Sequence, residues 1–453
     1  MGTSPCRTSN RKMETSVESK FRWKVMGLMF LIAAVSYLDR ANLAVAAPVI
    51  RAQMHFSSSE MGFILSAFTF AYAIAQVPAG FIANRLGPRK CFFYFMWLWC
   101  ALLVATTTAT SFTSWLGFRI PFGAAEAVSW PALAFLMSRW FPRIEYSQVS
   151  SIQNLGLVIG SAVAPPLVSA IILVAHWQAA FIITGLMAGL LGTFIWFYLK
   201  DDPSTDSRVS QAELSWILHD KGQETTRPIP PGFWKLIASR PSVWACALAC
   251  FGLNLINFLF LSWYPTYLTD TYQMSMSKMG LLAAQPYVFA LVSVFGAGWL
   301  VRRMVEHGKN TEQATRRVIF CGLFLGTLCL FTAVSVDNVY VSVTAMSFGY
   351  AFVMSILGPM WAMAPEVGGP RGASVVCSIM NCVGLFGGIV SPITMGYSFQ
   401  LFKSYTPAIV VSASITLLCA LVFAKTFRSE KDRKVVDDFL ADRSHSQTAM
   451  WTA

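Results

Sequence analysis

Asp39, Arg40, Arg119 and Glu126 are the only charged residues in the interiors of the long apolar stretches of this 453-residue chain. A charge at the centre of a membrane-spanning helix costs roughly 2.5 to 3.5 kcal/mol even on the gentler insertion scales, so such residues face a bundle interior or a water-filled path. The set is balanced, two acids and two bases, and all four fall in the first third of the sequence. Arginine suits the recognition of a carboxylate, because its planar fork offers two parallel hydrogen bonds and it stays protonated. A buried carboxyl group suits a different task. Burial favours its neutral form and a neighbouring guanidinium its ionised form, so it can take up and release a proton as its surroundings change. Together the four residues read as a buried site for an anion and for protons.

Spacing supports separate roles within that site. Arg119 and Glu126 are seven residues apart, which on a helix puts them on nearly the same face, two turns or about 10 Å apart along the axis. Asp39 and Arg40 are adjacent and point roughly 100° apart on their helix, so they need not neutralise each other directly. An incoming anion would compete with Asp39 and Glu126 for the two arginines, so the acids should be protonated when the anion is bound. The alternative role is structural: two buried ion pairs that lock the first helix to the fourth. A buried ion pair is a weak source of stability, since desolvation can exceed the Coulomb gain, and the functional role is the better expectation.

The elements that must position these residues follow from composition. At 55% hydrophobic, 12% charged and a mean hydropathy of +0.55, the chain is too apolar for a soluble protein of its length and is expected to be an all-α, multi-pass membrane protein. A bilayer core takes roughly 20 apolar residues of helix. Twelve segments qualify, at about 25–47, 60–83, 91–110, 114–136, 150–174, 178–199, 243–267, 279–300, 317–336, 338–362, 374–396 and 406–425. Asp337 and Asn338 mark the tightest junction between them, that of spans 9 and 10.

Positive residues collect on the cytoplasmic side of membrane proteins. With the N-terminus inside, 29 of the 34 basic residues fall on that side, three (Arg51, Lys278 and Lys403) fall outside, and the last two are Arg40 and Arg119. A miscounted span would destroy this bias, so both termini are assigned to the cytoplasm. The domains expected are a tail (1–24), a six-helix bundle (25–199), a cytoplasmic loop (200–242), a second six-helix bundle (243–425) and a tail (426–453). The long central loop includes the helical-looking stretch Gln211–Gly222, and two such halves are the organisation of transporters built from repeated units.

Several function classes are excluded. The net charge of +12 is spread over loops and tails rather than clustered in a stripe, which argues against nucleic-acid binding. Of ten cysteines, Cys6 lies in the tail and the others in or at the ends of spans, with neither disulfide nor metal-ligand spacing. An enzyme is not expected, nor any cofactor: Ser129 has no suitable histidine partner, and His55, His176, His219, His307 and His445 lie in loops, tails or span edges. The absence of Asn-x-Ser/Thr sequons favours a bacterial inner membrane, and the stretch before Phe21 is read as leading into a retained first span. Among uncharged polar residues, Asn254, Asn257 and Gln285 suit either substrate contact or interhelical hydrogen bonding. Gly156 and Gly160 suit close helix packing. Trp263, Tyr264 and Tyr267, at a span end, suit an aromatic belt, with an outer gate as the second choice.

The sequence GFIANRLGPRK, Gly80–Lys90, resembles the 2/3-loop signature of the major facilitator superfamily, with Asn84 where that pattern has an acid. YLDRANLAVA (Tyr37–Ala46) and RIPFGAAEAVSWP (Arg119–Pro131) are similar to its anion:cation symporter family, and most to the bacterial hexuronate, glucarate and galactonate transporters. GPMWAMAP and MNCVGLFGGIVSP extend the likeness into the second half, and it covers about Phe21 to Arg428. Leu157, Trp361 and Ala362 replace polar residues of the galactonate-type members, removing groups suited to a highly hydroxylated sugar acid. The resemblance implies twelve helices in two six-helix bundles and proton-coupled symport, for uptake, of a small organic anion such as a sugar acid or another carboxylate, by alternating access. It implies that Arg40 and Arg119 hold the substrate carboxylate, that Asp39 and Glu126 carry protons, and that Tyr37, Tyr72 and Asn381 line the pocket. The partners expected are the anion, protons and the lipid bilayer, with the chain acting as a monomer. A proton-independent facilitator or exchanger of organic anions is the alternative.

The charge bias gives a direct topological expectation. A fluorescent protein fused at the C-terminus should fold and fluoresce in the cytoplasm, while alkaline phosphatase inserted beside Lys278 or Lys403 should be active outside. The reverse pattern would invert the assignment.

Overall fold

A bilayer interior offers no water to the backbone, so an apolar segment crossing it must satisfy its N–H and C=O groups within itself, and helix is the single-segment solution. The computed structural model describes residues 20–218 and 232–439, and among them there is no strand. The helices include α1 (Phe21–Met54), α2 (Ser58–Leu86), α3 (Pro88–Thr106), α4 (Phe112–Glu126), α5 (Ser129–Trp140), α6 (Tyr146–Val174), α7 (Trp177–Tyr198), α8 (Gln211–Leu218), α9 (Phe233–Ala238), α10 (Pro241–Tyr272), α11 (Met276–Glu306), α12 (Thr311–Ser335), α13 (Val339–Met354), α14 (Leu357–Phe402) and α15 (Thr406–Thr426), and residues 429–439 are helical as well. Among the described residues they supply 12 spans long and apolar enough to cross a membrane. Span 4 joins α4 to α5 (Phe112–Trp140), span 10 runs from α13 into α14 (Val339–Gly369), and the rest of α14 is span 11 (Val375–Phe402). The expected tails before residue 20 and after 439, with Cys6 and His445, and residues 219–231 of the central loop, with His219, lie outside the described residues.

Local chemistry sets the interruptions. At the tight junction of spans 9 and 10, the Asn338 side chain accepts from the backbone N–H groups of Tyr340 and Val341 and starts α13, so the two spans stay separate. Gly369, at φ 67°, breaks α14 between spans 10 and 11. Pro131 has no N–H to offer the Ala127 carbonyl, and the hydrogen-bond ladder lapses at Ala127 and Val128, but their backbone stays in the helical range and Phe112–Trp140 forms a single span, as expected. Gly87, at φ 78°, makes the turn between α2 and α3, and Asp201 accepts from the N–H of Arg89 at 2.8 Å. Gly80 makes no close helix approach, because nothing lies within 4 Å of where its Cβ would stand.

Packing divides the chain into two compact units. One comprises Met1–Asp39, Ala71–Gly160 and Gln178–Thr226, the other Arg40–Phe70, Ser161–Trp177 and Arg227–Ala453. The division passes through α1 between Asp39 and Arg40, through α2 between Phe70 and Ala71, and through α6 between Gly160 and Ser161.

In the first unit, α6 lies on α1 through two glycines, since a Cβ on Gly156 would stand 2.4 Å from the Phe30 carbonyl oxygen and one on Gly160 2.2 Å from that of Ala34. Its other end is fixed by a buried ionic knot. Arg22 pairs with Glu145 at 3.0 Å and Glu213 at 3.2 Å, the Trp216 indole donates to Glu145 at 2.9 Å, and Glu213 accepts from the N–H groups of Phe21 and Arg22, capping α1. That knot ties α8, the first helix of the central loop, to the start of α1.

In the second unit the glycines of MNCVGLFGGIVSP bring α14 onto α10: Gly384 meets Cys250 and Asn254, Gly387 the backbone at Phe251, and Gly388 the ring of Phe258. Gly322 and Gly326 likewise seat α12 on α13. Small residues are what allow such approach in a membrane, where helix association depends on van der Waals contact.

Gly160→Leu should therefore lower the stability of the purified protein by roughly 1–3 kcal/mol, as overpacking does, and lower its melting temperature in detergent. Gly80→Ala, facing open space in the middle of α2, should leave the melting temperature unchanged or raise it. Equal losses from both would show that the α1–α6 approach does not matter.

Candidate functional site

The four intramembrane charges are all buried, at 1% (Asp39), 7% (Arg40), 2% (Arg119) and 0% (Glu126) relative exposure. Arg119 lies on α4 and Glu126 is its last residue, so both stand on one continuous helix as their spacing predicted. Asp39 comes to them from α1. Its carboxylate interacts electrostatically with both Glu126 and Arg119, and Arg119 in turn with both acids. The structure thus assembles three of the four charges into one buried cluster within the first unit: two carboxyl groups and one guanidinium.

Two residues that sequence reasoning did not select stand beside Asp39. Thr184 on α7 and Trp99 on α3 approach its carboxylate, and both are fully buried. Neither oxygen of the Asp39 carboxylate has a hydrogen-bond partner of normal geometry among the described residues. Thr184 was visible only as a hydroxyl in the middle of an apolar span, and Trp99 as an indole placed away from the span ends where aromatics collect. Arg119 also lies over the ring of Phe122, at 5.2 Å from its centroid.

Arg40 falls in the second unit, and its guanidinium lies over Phe68 of α2, 5.1 Å from the ring centroid. Tyr37 and Tyr72 are buried in the first unit, on α1 and α2, and Asn381 is half-buried on α14 in the second. Leu157 is buried on α6.

The polar residues of the second unit separate into roles. Asn257 accepts from the Tyr350 hydroxyl at 3.0 Å, an interhelical hydrogen bond between α10 and α13, whereas the Asn254 amide donates to the Cys250 carbonyl of its own helix at 3.0 Å. Trp263, Tyr264 and Tyr267 are not an aromatic belt. All three are buried in protein, and the Trp263 indole donates to the Pro392 carbonyl of α14 at 2.9 Å. Their place at a span end suggested a lipid-facing position, but α10 is covered there by α14 and α15.

Comparison with known proteins follows this geometry. The Major Facilitator Superfamily profile matches residues 29–392. The chain is 28% identical over 411 residues to a D-galactonate transporter of Escherichia coli, covering 89% of this chain and 94% of that one. It is also 28% identical over 410 residues to a probable sulfoacetate transporter of Cupriavidus necator, covering 89% and 93%. A crystal structure of a bacterial homologue of the human lysosomal transporter Spinster, described as inward-facing and unoccupied, has the same fold, with a TM-score of 0.74 at 15% identity over 91% of this chain and 98% of that one. Twelve apolar helices make this a multi-pass membrane protein, and the superfamily profile and the transporter relatives make it a transport protein rather than an enzyme. The chain belongs to the Major Facilitator Superfamily, as the 2/3-loop signature and the span-4 motif suggested.

Removing one member of a buried charge set leaves the others uncompensated. Arg119→Ala should cost about 3–5 kcal/mol of stability and lower the melting temperature accordingly. Adding Glu126→Gln should recover part of that loss, because one of the two acids facing the missing guanidinium is then neutral. A double variant no more stable than Arg119→Ala would show that the cluster is not coupled.

Proposed function

We propose that the protein is a proton-coupled symporter that takes up a small organic anion bearing a carboxylate, such as a sugar acid, by alternating access. The observation that carries this reading is the coupled cluster of Asp39, Glu126 and Arg119, buried where a permanent charge imbalance would be costly. Two carboxyl groups that share a buried guanidinium can trade a proton as the charge around them changes. When a substrate carboxylate takes the guanidinium, the demand for a proton on the acids rises, and this links anion binding to proton binding. Asp39 and Glu126 are the proton carriers; Arg119, with Arg40, holds the anion; Tyr37, Tyr72 and Asn381 line the pocket.

The names of the relatives support the chemical class. Galactonate and sulfoacetate are both organic anions with a carboxylate, and they differ in size and hydroxylation. Leu157, Trp361 and Ala362 in place of polar residues favour a less hydroxylated substrate for this chain. The two six-helix halves, 25–199 and 243–425, would rock about the central site, in a bacterial inner membrane with both termini in the cytoplasm.

Uptake of a panel of sugar acids, hydroxy acids and aromatic acids into proteoliposomes tests this. An imposed pH difference, acid outside, should drive accumulation of at least one anion above equilibrium. Glu126→Gln should abolish the accumulation while leaving exchange of labelled for unlabelled substrate. Accumulation that persists in Glu126→Gln would overturn the coupling role, and wild-type uptake indifferent to pH would favour a facilitator or exchanger.

A further inference from the structure

An ion pair that the transport site does not use stands at the Met54 end of α1. Arg51 Nη2 donates to Asp270 Oδ2 of α10 at 2.7 Å, and the Tyr405 hydroxyl, just before α15, donates to the same oxygen at 2.7 Å. Arg51 also reaches the Ser58 hydroxyl at 3.3 Å and lies over the ring of Phe399 on α14. The two charged side chains are only 19% and 13% exposed, so the pair is shielded from water and stronger than a surface ion pair.

Beside this pair the helices meet through small residues. A Cβ on Gly396 of α14 would stand 2.4 Å from the Ser58 carbonyl oxygen, and one on Gly62 of α2 2.7 Å from that of Pro392. The Ser66 hydroxyl of α2 donates to the Ile389 carbonyl of α14 at 2.8 Å. All these residues lie in the second unit, which takes in the Met54 end of α1 and the start of α2 together with α10, α14 and α15. The first six spans contribute α1 and α2, and the last six contribute α10, α14 and α15. The close approach is thus a seal between the two halves of the sequence, and Arg51 and Lys403 place it at the outer side by the positive-inside distribution.

We propose that Arg51, Asp270 and Tyr405 form a latch that keeps this end of the protein closed, and that its release is the step that admits the anion from outside. The proposal rests on the transport reading above, because a seal between halves has a reason to open only in alternating access. The geometry suits the task. The latch is three polar groups from separate segments beside a close glycine contact, so it can part without unfolding a helix, at the cost of those polar bonds and of the packing beside them.

Labelling of a Ser66→Cys variant with a membrane-impermeant maleimide applied from outside, read by mass spectrometry of the peptide bearing residue 66, tests it. Ser66 is buried against α14 and can react only when the seal parts. Adding Asp270→Asn should raise the labelling rate by about tenfold, the effect of losing a charged hydrogen bond, and adding Tyr405→Phe should raise it less. The native Cys100, buried in α3, should stay unlabelled throughout. An unchanged rate at residue 66 in both variants, in protein that elutes as a single species, overturns the latch; so does an equal rise at Cys100, which would mean general loosening. Intact pH-driven uptake with an unchanged rate defeats the latch alone, whereas a raised rate with no uptake of any anion defeats the transport reading alone.

Discussion

The cost of leaving a charge unbalanced in a dry interior organises the centre of this protein. Asp39, Glu126 and Arg119 are buried together in one unit, and each limits what the others can be, because the charge on one changes the cost of charge on its neighbours in a medium that solvates charge poorly. The same physics that would make the cluster a poor structural staple makes it sensitive to what binds, because changing one charge changes the preferred protonation of the rest.

Such a cluster is useful only if the helices holding it are fixed to each other, and the lipid gives little help in pressing helices together. Here the fixing is done by backbone approach and by buried polar ties. Gly156 and Gly160 let α6 lie directly on α1, the helix that carries Asp39. The knot of Arg22, Glu145, Glu213 and Trp216 holds the start of that helix. Glu126, in turn, ends α4 just before the hydrogen-bond ladder lapses at Ala127 and Val128, whose backbone remains helical.

The second unit is built on the same small-residue contacts but with a different polar content. It holds Arg40 over Phe68, the Asn257–Tyr350 hydrogen bond and the Arg51–Asp270 pair. The division between units falls between Asp39 and Arg40, two adjacent residues of one helix. Charges that look like a single pair in the sequence therefore pack within different units.

Much of the fold was legible in the chain. Solvation in a bilayer fixes helix as the backbone state, and length and apolarity fix the number of spans, so the 12 crossings and even the narrow junction at Asp337 and Asn338 could be read directly. The identity of the charged residues was legible for the same reason, since polar groups stand out where almost everything else is apolar. Tertiary structure alone decided which of them meet. Thr184 and Trp99 reach Asp39 from helices far away in sequence, and Arg51 meets Asp270 across 219 positions. Trp263, Tyr264 and Tyr267 turned from an expected lipid-facing belt into buried core because a neighbouring helix covers them. Periodicity and hydropathy report how each helix relates to its solvent. Which helix stands next to which depends on the fit of small residues against distant backbones, and no local pattern records that fit.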